Sequence, residues 1–192
     1  MESMNSILKQ SFFFVRHAET DWNSQKLCQG QRDIPLNEKG KRQARLLAER
    51  SRKLKIECIV TSPLQRALET AKELHRVHKD AELHIVYDLQ ERSWGDFEGI
   101  SSEEMYVLEE LEEKDPFYSP GNNIEPRSIF QKRILRGVLA AQSFHIHPLI
   151  VGHGRAFLEL CYCLDIPPIR QIPNCRILEI FPTNNGWKTR VI

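Results

Sequence analysis

Arg16 and His17 stand side by side, Arg66 follows Thr61-Ser62 by about one helical turn, and His153 sits between Gly152 and Gly154. Brought to one place, two guanidinium groups and two imidazoles make a site for an anion. The guanidinium fork matches phosphate oxygens bidentately and stays charged throughout the physiological range. A histidine among such cations is held neutral, because protonating it would add a like charge. It then keeps a nucleophilic lone pair at pH 7.

These residues need elements that end at a common edge. Ser11 to Val15 reads as a short, fully buried strand ending at Arg16-His17, and Ile56 to Thr61 as a second ending at Ser62. Leu83 to Val86 is a third, and Leu149-Ile150-Val151 a fourth that runs into Gly152-His153-Gly154. The intervening segments have helical spacing. Asn37 is the expected N-cap of a helix with Ala44, Leu47, Ala48 and Leu54 on its apolar stripe. Ser62-Pro63 is expected to open the next, with Leu64, Ala67, Leu68, Ala71 and Leu74 inward. Ser101 and Glu104 form a capping box for a helix with Met105, Leu108 and Leu111 inward and an acidic outer face of Glu103, Glu109, Glu110, Glu112 and Glu113. A further helix is expected from Arg127 to Ser143 and another from Gly154. The segments 20–35 and 116–126 read as loops. Arg176 to Phe181 and Trp187 to Val191 form a terminal strand pair turning at Asn184-Asn185-Gly186. Strands alternating with helices predict an α/β three-layer sandwich: a mostly parallel central sheet with helices on both faces. In such sheets ligands bind outside the carboxyl ends of the strands, which is where Arg16, His17, Ser62 and His153 fall.

Composition narrows the setting. The 192 residues fit a single domain, 1–192, carrying an acidic helical insertion at about 101–126. With 27 basic against 26 acidic residues the net charge is +1, which points to neither a nucleic-acid nor a membrane-surface partner. No apolar run approaches the roughly eighteen residues of a membrane span. Phe12-Phe13-Phe14-Val15 is too short for a secretory signal, so a soluble cytoplasmic protein is expected. The five cysteines are odd in number and scattered among apolar neighbours, and read as buried thiols. His75 and His78 read as exposed helix residues, and His145 and His147 as a surface turn, with no metal site.

The order of short motifs resembles the opening of the histidine phosphatase superfamily, also called phosphoglycerate mutase-like. Arg16-His17-Ala18-Glu19-Thr20, Trp22-Asn23, Gly30, Asp33, Pro35-Leu36 and Glu38 match the family's first motif. Ser62-Pro63-Leu64-Gln65-Arg66-Ala67 with Glu69-Thr70-Ala71 match its second. Leu89-Gln90-Glu91-Arg92 with Gly95, Phe97, Glu98 and Gly99 match its third, and Gly152-His153-Gly154 its last. The resemblance fades over 101–127 and after Asp165.

It implies that His17 takes the phosphoryl group as a phosphohistidine, while Arg16, Arg66 and His153 hold the equatorial oxygens and Asn23 adds a neutral donor. Glu91 is implied to protonate the leaving alcohol and then activate water, a duty that calls for burial or a raised pKa. Glu19 and Glu98 are alternatives for it. No metal or other cofactor is implied. Gln29, Gly30, Arg92, Trp94 and Arg155 are expected from their positions in the motifs to line the entrance, with Gln29, Gly30, Arg92 and Arg155 touching substrate.

Departures from the pattern bear on the reaction. The mutases of the family carry a lysine near Ser102 and an arginine pair in the following insertion, both absent here. Arg155 replaces the asparagine usual in mutases, and Asn122-Asn123-Ile124-Glu125-Pro126-Arg127 replaces a Gly-Gly-Glu-Ser segment. The expected activity is therefore hydrolysis of a phosphate monoester, with a small-molecule ester as partner and a phosphoprotein as a further candidate. A mutase-type phosphoryl transfer and a non-catalytic phosphate-recognition module are the alternatives. Oligomeric state is left open.

Overall fold

A computed structural model describes residues 8, 10–115, 121 and 123–192. Six strands form one sheet in the order β3-β2-β4-β1-β5-β6: β1 (Phe12–Arg16), β2 (Cys58–Thr61), β3 (Glu82–Ile85), β4 (Leu149–Gly152), β5 (Ile177–Thr183) and β6 (Gly186–Val191). The four strands from β3 to β1 are parallel, and β5 and β6 add an antiparallel edge. Alternation along β1 sends Phe12 and Phe14 into one core and Val15 into the other. Helices α5 (Arg127–Phe144) and α6 (Gly154–Cys163) close the first face through Phe130, Ile134, Val138, Phe157 and Leu160. Helices α2 (Glu38–Ser51) and α3 (Gln65–Val77) close the second through Leu47, Ala67, Ala71 and Leu74. The expected three-layer α/β sandwich is thus the one observed.

Register decides what meets at the sheet's edge. Arg16 pairs with Gly152 and Thr61 with Val151, so three parallel strands end within one residue of each other. The ladder runs one step further, with the His17 N–H on Gly152 O at 3.0 Å and the Ser62 N–H on Val151 O at 3.2 Å. His17, Ser62 and His153 therefore leave the sheet side by side.

Some boundaries and faces differ from the sequence reading. Helix α3 starts at Gln65 rather than at Ser62-Pro63. Its first free amide, Gln65 N–H, is taken by Asp33 Oδ1 at 2.6 Å, a cap supplied by a distant loop. Ser62 Oγ instead accepts from Leu64 N–H (3.3 Å) and sits 2.8 Å from His153 Nε2. The segment 20–35, read as loop, contains a one-turn helix α1 (Asp21–Ser24) held by a reciprocal capping box between Thr20 and Asn23.

Helix α4 (Ser102–Lys114) has the capping box of Ser101 and Glu104 as expected. Its faces do not match the periodic reading: Leu111 is exposed while Glu109 is buried. The pieces of the 116–126 loop at 116–120 and Asn122 lie outside the described residues. Gly137 lets α5 press against the turn before the third motif, where a Cβ would come within 2.7 Å of Leu89 Cδ2. The five cysteines are unpaired, with Cys28, Cys58 and Cys161 buried and Cys163 and Cys175 half-buried.

Candidate active site

A crevice of about 120 Å³ opens at the carboxyl edge of β1 and β4, roofed by α4. Arg16, His17, Asn23, Gln29, Gly30, Arg66, Glu91 and Arg155 all line it, together with Trp94, Met105, Tyr106 and Ile172.

His17 is buried, and its Nδ1 lies 2.7 Å from the Ala18 carbonyl. A carbonyl only accepts, so Nδ1 carries the proton and Nε2 keeps its lone pair with no hydrogen-bond partner. Burial holds the imidazole well below its ordinary pKa, and the charges of Arg66 and Arg16 push in the same direction. The residue is neutral at pH 7.

His153 lies behind it, with ring centroids 5.2 Å apart, and does not itself line the crevice. Because Ser62 Oγ already accepts from Leu64 N–H, its hydroxyl proton is free to go to His153 Nε2. With the Ser62 hydroxyl donating to Nε2, the other proton sits on His153 Nδ1, which is buried with no partner. Burial and Arg66 hold this imidazole neutral as well.

The two arginines are held by backbone rather than by carboxylates. Arg66 donates Nη1 to Arg32 O and Nη2 to Gly30 O, both at 2.7 Å. Arg16 donates Nη1 to Ile172 O at 2.8 Å. Each leaves its Nε buried and unpartnered. Burial pushes Arg66 down to about 10, still charged at pH 7. The approach to Gly30 is close: its φ is +50°, and a Cβ there would fall 2.1 Å from Glu98 Oε1.

Glu91 is also buried, at the first turn of α6. Its Oε1 accepts from Arg92 N–H (3.0 Å) and Ala156 N–H (3.1 Å), and its Oε2 from Arg155 N–H (3.0 Å). Two of those donors are otherwise unsatisfied amides of a helix N-terminus. The alternative acids are placed elsewhere. Glu19 is paired with Lys39 and Asn37, and Glu98 accepts from Gln31 and Trp94 N–H groups; neither lines the crevice. Asn23 accepts at Oδ1 from Thr20 N–H and Asn174 Nδ2, which leaves its own Nδ2 donor free. Gln29 is buried, with Oε1 taken by the Thr20 hydroxyl at 2.9 Å.

Arg92 does not line the crevice, contrary to expectation. Its guanidinium donates bidentately to Glu112 at 2.6 Å and through Nε to Glu125 O at 2.9 Å, and stacks 4.4 Å over the Trp94 ring. Arg155 does line it, with Nη2 2.7 Å from Glu109 Oε2. Arg170 meets Glu113 at 2.8 Å. The acidic face of α4 is therefore turned partly onto arginines, because the helix lies against Arg155 and Arg170 at the mouth and Arg92 behind it.

Several contributors carry no motif. Asn174 donates to His17 O at 2.7 Å, and the Ile172 carbonyl anchors Arg16. Arg133 fixes the third motif by donating to Asp88 O, Gln90 O and Glu91 O. Among the described residues no cluster of three or more His, Cys, Asp or Glu can hold a metal ion, and no helix is long and apolar enough to cross a membrane.

The sequence profile of the histidine phosphatase superfamily, branch 1, matches residues 12–192. The chain is 38% identical over 155 residues to the "Uncharacterized phosphatase PhoE" of Bacillus subtilis, covering 76% of this chain and 72% of that protein. It is 32% identical over 189 residues to "Probable phosphoglycerate mutase GpmB" of Yersinia enterocolitica, covering 91% and 86%. The solved mycobacterial glucosyl-3-phosphoglycerate phosphatase shares the fold with a TM-score of 0.78 at 24% identity, over 95% of this chain and 98% of that one. With its match running from β1 to the end of the chain, the protein is a member of the histidine phosphatase superfamily, branch 1.

Proposed function

We propose that this protein hydrolyses a phosphate monoester through a phosphohistidine on His17 Nε2. The observation that carries the reading is a set of buried donors without acceptors beside an unbonded lone pair. Arg16 Nε, Arg66 Nε and His153 Nδ1 are all unpartnered, in a protein interior where nearly all buried polar groups are paired. A tetrahedral oxyanion in the crevice against His17 would offer these donors an acceptor, Arg16 and Arg66 from the crevice lining and His153 from behind His17.

In the proposed cycle His17 Nε2 forms a bond to phosphorus while the bond from phosphorus to the leaving oxygen breaks. Glu91 passes a proton to that oxygen, then takes one from the water that attacks phosphorus and releases His17. Arg16, Arg66, His153 Nδ1 and Asn23 Nδ2 meet the charge on the three equatorial oxygens. The positive charge that this requires comes from Arg16 and Arg66.

Two features favour hydrolysis over mutase-type transfer. Arg155 and Arg170, which line the mouth, are matched by carboxylates of α4, which leaves neither as a surplus cation to retain a bisphosphate between half-reactions. The similarity to PhoE, at 38% identity, points the same way. The similarity to GpmB keeps transfer as the second reading. The small volume of the crevice under α4, about 120 Å³, favours a small-molecule ester over a phosphorylated protein residue. The presence of His17, Glu91, Arg16 and Arg66 in one crevice counts against a retired binding module.

The test is turnover of a generic aryl phosphate, with rapid quenching to trap an acid-labile phosphoenzyme that His17→Ala lacks. No adduct in the wild-type protein would sink the phosphohistidine. Incubation with 3-phosphoglycerate and catalytic 2,3-bisphosphoglycerate should release phosphate or do nothing. Isomerisation faster than phosphate release would replace hydrolysis with the mutase reading.

A further inference from the structure

Arg155 is nine-tenths buried at the crevice mouth, and its charge faces Glu109, which is equally buried. One guanidinium nitrogen, Nη2, meets Glu109 Oε2 at 2.7 Å; the other, Nη1, is buried with no partner. The guanidinium lies 4.8 Å over the Tyr106 ring, and Trp94, Met105 and Ile172 complete an apolar wall beside it. A charge cancelled on one side and an N–H left unused on the other describe a group that donates a hydrogen bond without attracting net negative charge.

Resting on the phosphatase reading above, we propose that the Arg155–Glu109 pair is a charge filter for the leaving group. It selects phosphate monoesters of uncharged, partly apolar alcohols that offer a hydrogen-bond acceptor to Arg155 Nη1, over esters that carry a second anionic group. Arg155 is the residue that touches the leaving group, and Glu109 positions and neutralises it. Glu109 faces Arg155 and Glu159 of α6, Arg92 and Glu91 of the third-motif segment, Arg170 and Cys28. Burial pushes its carboxyl up to about 7, against the pull of Arg155 and Arg92. The filter therefore loosens as the pH falls through neutrality, when Glu109 takes up a proton and leaves the Arg155 charge uncompensated.

Para-carbamoylphenyl phosphate and para-carboxyphenyl phosphate test this, being nearly isosteric and differing by one charge remote from phosphorus. In the wild-type protein at pH 8, kcat/KM should favour the carbamoyl ester by about tenfold. Glu109→Gln should raise the carboxyl-to-carbamoyl ratio by a similar factor, while Glu109→Asp should restore the wild-type preference. A merely structural loss would lower both rates and leave the ratio where it was. The wild-type ratio should also rise between pH 8 and pH 6, a readout that needs no variant to fold. A ratio indifferent to both Glu109→Gln and pH would overturn the filter and leave the phosphatase reading intact. If neither ester is turned over, the phosphatase reading fails instead. The filter is then judged by the same ratio taken from dissociation constants, and equal constants at pH 8 would sink it.

Discussion

The floor of the crevice and its mouth are both built from arginine, and they treat its charge in opposite ways. On the floor, Arg16 and Arg66 are held by the carbonyls of Ile172, Arg32 and Gly30, which orient a guanidinium without cancelling it. At the mouth Arg155 and Arg170, and behind its wall Arg92, are met by Glu109, Glu113 and Glu112 at 2.6 to 2.8 Å. A cation fixed by neutral dipoles keeps its charge for an incoming anion, whereas one paired with a carboxylate has already spent it. The same residue type is therefore left charged at the crevice in one place and cancelled by a carboxylate in the other.

The largest expected effect breaks the floor at its nucleophile. His17→Ala should lower turnover of any phosphate ester by something on the order of 10⁶, since no other group in the crevice can carry the phosphoryl intermediate. Circular dichroism should show the fold retained, and residual activity of more than a few per cent would refute the assignment.

Glu91 comes next. Glu91→Gln should slow an alkyl phosphate by about 10² to 10⁴ and nitrophenyl phosphate far less, because proton donation matters only when the departing oxygen is basic. Equal losses on both esters would remove the acid role from Glu91.

Arg66→Met should cost about 10² to 10³ in kcat/KM, the range for losing one preorganised charge-stabilising donor. Inorganic phosphate should weaken as a competitive inhibitor in parallel. If phosphate affinity were unchanged, the floor would not be the anion site.

A stability measurement sharpens the same comparison. His17 and His153 have folded-state pKa values well below 6.5, chiefly through burial. Below pH 6.5 the unfolded chain binds protons that the folded one refuses, so stability is fully present above that value and is lost as pH falls toward the depressed values. The slope should be about 1.4 kcal/mol per pH unit for each histidine. Urea titrations at pH 5.5 and 4.5, where unfolded histidines are nearly fully protonated, should show it, and the variant carrying both His17→Gln and His153→Gln should be flatter by about twice that slope.

The smallest effect on catalysis is expected behind the mouth, where Arg92 supports the crevice wall. Arg92→Met should leave kcat/KM for a simple aryl phosphate within about threefold, while destabilising the fold by about 3 kcal/mol through the unpaired Glu112 carboxylate. A hundredfold loss of activity with stability unchanged would return Arg92 to the substrate site and erase the contrast between floor and mouth.

Much of the floor is legible in the amino-acid sequence. Short apolar runs ending at Arg16-His17, Ser62 and Gly152-His153 specify strands, and parallel strands in register bring their ends to one edge. Asn37 and the Ser101–Glu104 box announce their helices because capping is a contact of three or four residues. What stays hidden is whatever depends on partners far apart in the chain. Asp33 caps α3 from 32 residues away, so Ser62 is free to orient His153. Asn174 and Ile172 reach His17 and Arg16 across more than 150 residues from a segment without a motif. The acids of α4 read locally as a solvated face, since periodicity reports which residues share a side and not what that side meets. Sequence alone determined which residues gather at the carboxyl edge of the sheet, because Arg16, His17 and His153 sit where strands end and Arg66 at the start of the helix that follows one. Only the tertiary structure decided the mouth, because whether an arginine there stays free or is cancelled depends on where a distant helix lays its carboxylates.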